Sequence, residues 1–242
     1  MRSSPLCRIS ASQLARCLSG TIGAASGRCV RIDVRCGMVA FVVRSGGRVY
    51  AAEADVEQSV DDADVMIHAS SARRMLAVAR RNGDRPAQLM RCGSRVHLSV
   101  GSDSVIADPC HCESVPWRDS VPQRRSHPTK VLAADFLKAV SRGSGSVTGD
   151  DRLQVRFSRR CVSFETAEGR RLAACPALGT ADEMVLRVDP SDLRGWFRAL
   201  DPSAVVTVDP GDGRVPAMFS HDDAFAVVPV AAGCCSAIEE AA

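Results

Sequence analysis

Lysine is almost missing from this chain: of 31 basic residues only Lys130 and Lys138 are lysine. Guanidinium groups favour bidentate phosphate contacts, but GC-rich coding bias explains the preference without any ligand and is the preferred reading. No window holds 18 apolar residues, which excludes a membrane-spanning helix, and the opening MRSSPLCRIS lacks the apolar core of a signal peptide. A soluble intracellular protein is the expectation. A large charge imbalance is absent too. At +3, any binding to a polyanion must come from where the basic residues sit.

Several chemistries lack their residues. The glycine-rich SRGSGS at 141–146 has no lysine and following hydroxyl, so it reads as a flexible turn and not as a phosphate loop. Cys110 and Cys112, with His127 downstream, could offer thiolate and imidazole ligands, yet no second closely spaced pair completes a zinc site, and no metal or cofactor is expected. The acids Asp61, Asp62 and Asp64 and the set His221, Asp222 and Asp223 fall in loops without a third partner and read as solvated side chains. His68 and His97 have no identifiable partner. The expectation is a protein that is not an enzyme. Eleven cysteines form an odd, scattered set that reads as small buried hydrophobes without a disulfide framework.

What is present begins with 242 residues, 45% of them hydrophobic, enough for one large or two ordinary domains. Residues 70–83, SSARRMLAVARRNG, predict an amphipathic helix. At about 100° per residue, Arg73, Arg74, Ala77, Arg80 and Arg81 share one arc while Ala72, Met75, Leu76, Val78 and Ala79 fill the other. Ser70 or Ser71 can cap its start and Gly83 its end. No acid dilutes the four arginines, so the face asks for a polyanion, or else is simply a solvated basic surface.

The chain also repeats itself. Positions 9–54 align with 132–177 at a constant offset of 123, matching Leu14 to Leu137, Val30, Ile32 and Val34 to Leu153, Val155 and Phe157, and Phe41 to Phe164. The second half repeats at an offset of 121: Val65 and Ile67 match Leu186 and Val188, and the basic helix matches DPSDLRGWFRALD, with Asp189 as cap and Pro190 in its first turn. Each copy reads helix, three strands, linking strand, helix, then two or more strands. The fold class is therefore α+β, as two similar domains at 1–110 and 131–233. A proline-bearing connector at 111–130 joins them, and a loose tail covers 234–242. Trp117, an aromatic between prolines in the connector, either lines a peptide pocket or packs against its own domain.

This pattern of elements resembles the DNA sliding clamps, the processivity factors of replicative polymerases such as proliferating-cell nuclear antigen and the bacterial beta clamp. The closing GRVPAMFSHDDAFAVVPV is similar to the end of a clamp domain, carried by Pro216, Phe219, Phe225, Val227, Val228, Pro229 and Val230. The resemblance implies two antiparallel-sheet domains whose helices face duplex DNA. The basic residues on those helices would be Arg16, Arg73, Arg74, Arg80, Arg81, Lys138, Arg142, Arg194 and Arg198, with Asp135 and Asp192 as departures in the second copy. The acids Glu53, Asp55, Glu57, Asp61, Asp62 and Asp64 would belong to an outer surface. The resemblance further implies a DNA polymerase and other clamp-binding proteins as partners, docked by hydrophobic peptides near Trp117, Pro229 and Val230. It also implies a location on DNA in the cytoplasm, nucleoid or nucleus. A family ring has six domains, so two per chain would need a homotrimer; the other arrangement is an open monomer. A two-repeat protein-interaction module of checkpoint or degenerate type, without processivity activity, is the alternative reading.

Overall fold

The structure, a computed structural model, describes residues 3–22, 29–45, 48–59, 62–111, 116–122, 128–144, 153–179, 184–210, 216–222 and 224–228. The chain divides into two compact units, Met1–Trp117 and Arg118–Ala242. No helix among the described residues is long and apolar enough to cross a membrane.

Unit 1 runs β1 (Ser3–Ser10), α1 (Ala11–Ile22), β2 (Cys29–Arg35), β3 (Met38–Ser45), β4 (Arg48–Asp55), β5 (Gln58–Ser59), β6 (Ala63–His68), α2 (Ala69–Asn82), β7 (Pro86–Cys92), β8 (Arg95–Val100) and β9 (Asp103–Ala107). Its strands form two antiparallel arrays, ordered β5-β1-β7-β8-β9 and β4-β3-β2-β6. The alternation at Val30, Ile32 and Val34 predicted for β2 is met by full burial of all three side chains. In β8 the same period buries Val96, Leu98 and Val100.

Unit 2 repeats the plan element for element: β10 (Thr129–Leu132), α3 (Ala133–Ser144), β11 (Leu153–Phe157), β12 (Cys161–Glu165), β13 (Arg171–Pro176), β14 (Leu178–Gly179), β15 (Met184–Val188), α4 (Pro190–Ala199), β16 (Val205–Asp209), β17 (Ala217–His221) and β18 (Ala224–Val228). The arrays are β14-β10-β16-β17-β18 and β13-β12-β11-β15. The fold is α+β, with two helices and antiparallel sheets in each unit. Phe136 on α3 lies at its centre, stacked on Phe197 of α4 at 4.4 Å and edge-on to Phe164 of β12 at 5.2 Å and Phe219 of β17 at 6.1 Å.

The structure corrects the register of the repeat in two places. Buried Ala11, Leu14, Cys17 and Leu18 of α1 correspond to buried Ala133, Phe136, Ala139 and Val140 of α3, so the helices match at 122, and Leu14 is opposite Phe136 instead of Leu137. Strand β2 does match β11 at 123, but Phe41 pairs with Ala52 while Phe164 pairs with Ala173. The hairpin of the second copy is therefore shorter, and the gapless 123 ends there. Sheet pairing sets these registers, and an unaligned loop length is invisible to hydrophobic matching.

Three further expectations change. Each copy opens with a strand, β1 or β10, and closes with three strands after its second helix; β9 was not anticipated. Residues 141–144 of the supposed turn SRGSGS continue α3, and Gly143 is buried there with Leu153 so close that an added Cβ would stand 3.2 Å from its Cδ1. A disulfide joins Cys29 to Cys110, with Cα atoms 6.1 Å apart. Cys110 is therefore no free thiolate for a metal. Cys112 and His127, with the tail and its Cys234 and Cys235, lie outside the described residues.

Candidate nucleic-acid interface

Helix α2 carries the strongest charge. Its buried side chains are Ala69, Ser71, Ala72, Met75, Val78 and Ala79, while Arg73, Arg74, Ala77, Arg80 and Arg81 lie on the opposite arc, as the spacing predicts. The start differs from expectation. His68 is the N-cap, in extended conformation and without a side-chain cap bond, because the helix begins directly from β6; Ser71 is buried instead of capping. Gly83 ends the helix at φ 55, a region open mainly to glycine.

Two of the arginines are held by neutral acceptors. Arg74 Nη2 donates to Ser71 Oγ at 3.1 Å and to the Ile106 carbonyl at 3.2 Å. Arg80 Nη2 donates across to Ser19 Oγ on α1 at 3.0 Å. Among the described residues Arg73 and Arg81 have no hydrogen-bond or salt-bridge partner. No carboxylate of the described residues forms a salt bridge with any of the four, so their charge is not neutralised locally. Arg80 and Arg81 also sit in the last turn, where a cation complements the helix dipole.

The neighbouring helix α1 packs against α2 and presents exposed Arg16. A capping box fixes its start: the Gln13 amide donates to Ser10 Oγ at 3.2 Å, and the Ser10 amide donates to Gln13 Oε1 at 3.4 Å. The spacing Ser10-x-x-Gln13 was a legible signal for this boundary.

Unit 2 repeats the arrangement with less charge. Lys138 and Arg142 of α3 and Arg198 of α4 are exposed, whereas Arg194 is half-buried and donates to Ser144 Oγ at 3.3 Å. Asp135 lies beside them in sequence on α3. Of Asp192 only its place on α4 is described. Sequence reasoning overlooked Arg85, exposed just past α2, whose Nη1 lies 3.5 Å from Asn82 Oδ1. Its carbonyl accepts the Ala11 amide at 2.9 Å, tying the start of α1 to the segment that follows α2. Periodicity could not reveal it, because the helix stops at Asn82.

The acids lie on other elements. Glu53 and Asp55 are on β4, Glu57 follows it, and Asp64 on β6 is bidentate to Arg31 at 2.7 and 2.6 Å; Asp61 lies outside the described residues. His221 Nε2 is 3.2 Å from Asp222 Oδ2 and its Nδ1 contacts the Val205 carbonyl at 3.1 Å, a turn-stabilising arrangement. Among the described residues no group of three or more His, Cys, Asp or Glu is placed to hold a metal ion. Of the expected peptide-contact residues, Trp117 is 2% exposed and packs within its own unit, the second of its two sequence readings, and not in an exposed pocket. Pro229 and Val230 lie outside the described residues.

Two units of two helices on antiparallel sheets define the sliding-clamp fold. Solved structures agree in fold. The chain superposes on a sliding clamp from Pseudomonas aeruginosa with a TM-score of 0.83 at 13% identity, over 95% of this chain and 67% of that one. The DNA polymerase III beta subunit from Thermotoga maritima gives 0.79 at 12% identity, over 95% and 66%. A Pseudomonas aeruginosa clamp bound to griselimycin gives 0.80 at 13% identity, over 92% and 64%. The chain thus spans about two thirds of the length of these structures. No family model matches the sequence, and no curated protein matches it.

Proposed function

We propose that the chain is a non-enzymatic, sliding-clamp-type processivity factor that holds duplex DNA against its basic helices and tethers a DNA polymerase or other replication and repair proteins. The observation that carries this reading is the α2 face, four arginines without a carboxylate partner among the described residues. Phosphate contacts of this kind give affinity without sequence preference, which lets a protein move along a duplex. The sites would be Arg73, Arg74, Arg80 and Arg81, with Arg16, Lys138, Arg142, Arg194 and Arg198 as weaker contacts. Partner peptides would dock near the final strand, at Pro229 and Val230. Two clamp units do not encircle a duplex alone, so a homotrimer is the proposed working form.

The test is primer extension on a long primed template with a candidate polymerase. Longer products in the presence of the chain, lost on reversing the four α2 arginines to glutamate, support the reading. No stimulation, with DNA binding unchanged in the reversed variant, overturns it. Solution mass at micromolar concentration decides assembly: three times 25.7 kDa supports the trimer and a single chain mass rejects it.

A further inference from the structure

The segment after β9 is attached to unit 1 in three separate ways. The His68 amide donates to the Asp108 carbonyl at 3.4 Å, the Cys110 amide donates to the Met66 carbonyl at 2.8 Å, and Pro109 bridges Ile67, so residues 108–110 cover the outer edge of β6. Cys110 is disulfide-bonded to Cys29, the first residue of β2. Seven residues further on, the Trp117 indole is buried and donates to Asp33, also on β2. Both ends of the stretch 110–117 are thus fastened to one strand.

Of these fastenings only the disulfide can be undone by chemistry. Cys29 and Cys110 are each half-buried, within reach of a small reagent, whereas Cys7, Cys17 and Cys175 are buried. The bond joins residues 81 apart, so its loss also frees a long span of chain. Without it, the backbone pairing of residues 108–110 lies at the end strand of a sheet, the class of contact that opens most readily.

We infer that Cys29–Cys110 is a reversible thiol–disulfide latch, opened by a dithiol reductant, which controls whether residues 108–110 cover the edge of β6. A thiolate of the reductant attacks one sulfur, forming a mixed disulfide, and the other cysteine leaves as a thiolate that takes up a proton. The second thiol of the reductant then displaces the remaining cysteine. The protein disulfide gains two electrons and two protons and becomes two thiols, while the reductant becomes a cyclic disulfide. This latch is independent of the processivity reading, since nothing in it requires DNA.

The experiment uses the full chain, prepared without reductant, and dithiothreitol as the probe. Non-reducing peptide mapping is expected to yield a linked Cys29–Cys110 peptide, which disappears on reduction and returns with oxidised glutathione. Amide exchange at His68 and Cys110 is expected to rise about tenfold or more on reduction, with β3 unchanged. Cys110→Ser should reproduce the fast exchange without reductant. Absence of the linked peptide from the oxidised chain overturns the inference. So does identical exchange at those amides in the oxidised and reduced protein, a comparison that needs no variant to fold.

Discussion

The Trp117 indole Nε1 donates to Asp33 Oδ2 at 2.9 Å, and both side chains are all but inaccessible, at 2% and 1% exposure. Asp33 also accepts Arg35 Nε at 2.8 Å, so a buried carboxylate is shared between an indole and a guanidinium. A buried charge needs each of its partners. Trp117→Phe keeps most of the apolar volume and removes one donor from the carboxylate. It is expected to destabilise unit 1 by about 1.5–3 kcal/mol, the range for a hydrogen bond to a charged group. Urea unfolding gives the measurement, and the double variant with Asp33→Asn should lose less than the sum of the single changes.

Cysteine ionisation predicts a loss of stability in alkali. Burial pushes the Cys7 thiol up to about 12 from 9.0. It does the same for Cys175, aided by the neighbouring Cys161 and Asp135. Above pH 9 the unfolded chain releases these protons and the native state keeps them, so stability falls as pH rises from 9 towards 12 and is fully present below 9. The urea midpoint, followed from about pH 8 to about pH 10.5, should fall less steeply in Cys7→Ala than in the parent chain. At about pH 8, exposed Cys36 should be alkylated well before Cys7.

Gly179 faces Thr129 across β14 and β10, and a Cβ there would fall on the Thr129 hydroxyl, itself fully buried. Gly179→Ala is therefore expected to cost about 1–3 kcal/mol by overpacking. Adding Thr129→Ala should recover part of it, because the hydroxyl and methyl are what the new group meets. Phe136→Ala removes the hub of the aromatic cluster and should cost about 3–5 kcal/mol, a loss read by thermal unfolding.

Much of this fold was legible in the chain. The buried triplets Val30, Ile32, Val34 and Leu153, Val155, Phe157 announce β2 and β11 through their period, and the α2 face is readable because its arginines and apolar residues obey one angle. The copies also share their spacing across β6 and β15, where Val65 and Ile67 do match Leu186 and Val188. What stayed hidden depends on contacts distant in sequence. The Cys29–Cys110 pairing cannot be drawn from eleven cysteines by counting. Trp117 was ambiguous until Asp33, 84 residues away, supplied its partner. The repeat alone does not show where α1 begins: Ile9 belongs to β1, where it pairs with Ala87, and only the Ser10 and Gln13 capping box marks the boundary. The neutral acceptors that position Arg74 and Arg80 lie partly on other elements, Ile106 on β9 and Ser19 on α1, and no local pattern names them.

The same neutral acceptors separate two kinds of arginine on α2. Arg73 and Arg81 are unpartnered among the described residues, so removing either deletes a positive charge and no internal hydrogen bond. Each Arg→Ala change there should reduce the slope of log K against log salt for duplex DNA by about 0.9 for every phosphate the side chain neutralises, uniformly across sequences. Ser19→Ala keeps every charge but frees the Arg80 guanidinium, which is fixed at 3.0 Å in the parent. It is expected to leave the slope unchanged and weaken binding at all salt concentrations by a common small factor, as the entropy of ordering Arg80 is then lost on binding. Titration of a labelled duplex between about 50 and 200 mM salt, the range over which such contacts respond strongly, distinguishes the outcomes. A slope that stays constant in both Arg73→Ala and Arg81→Ala would remove α2 from the DNA-binding surface.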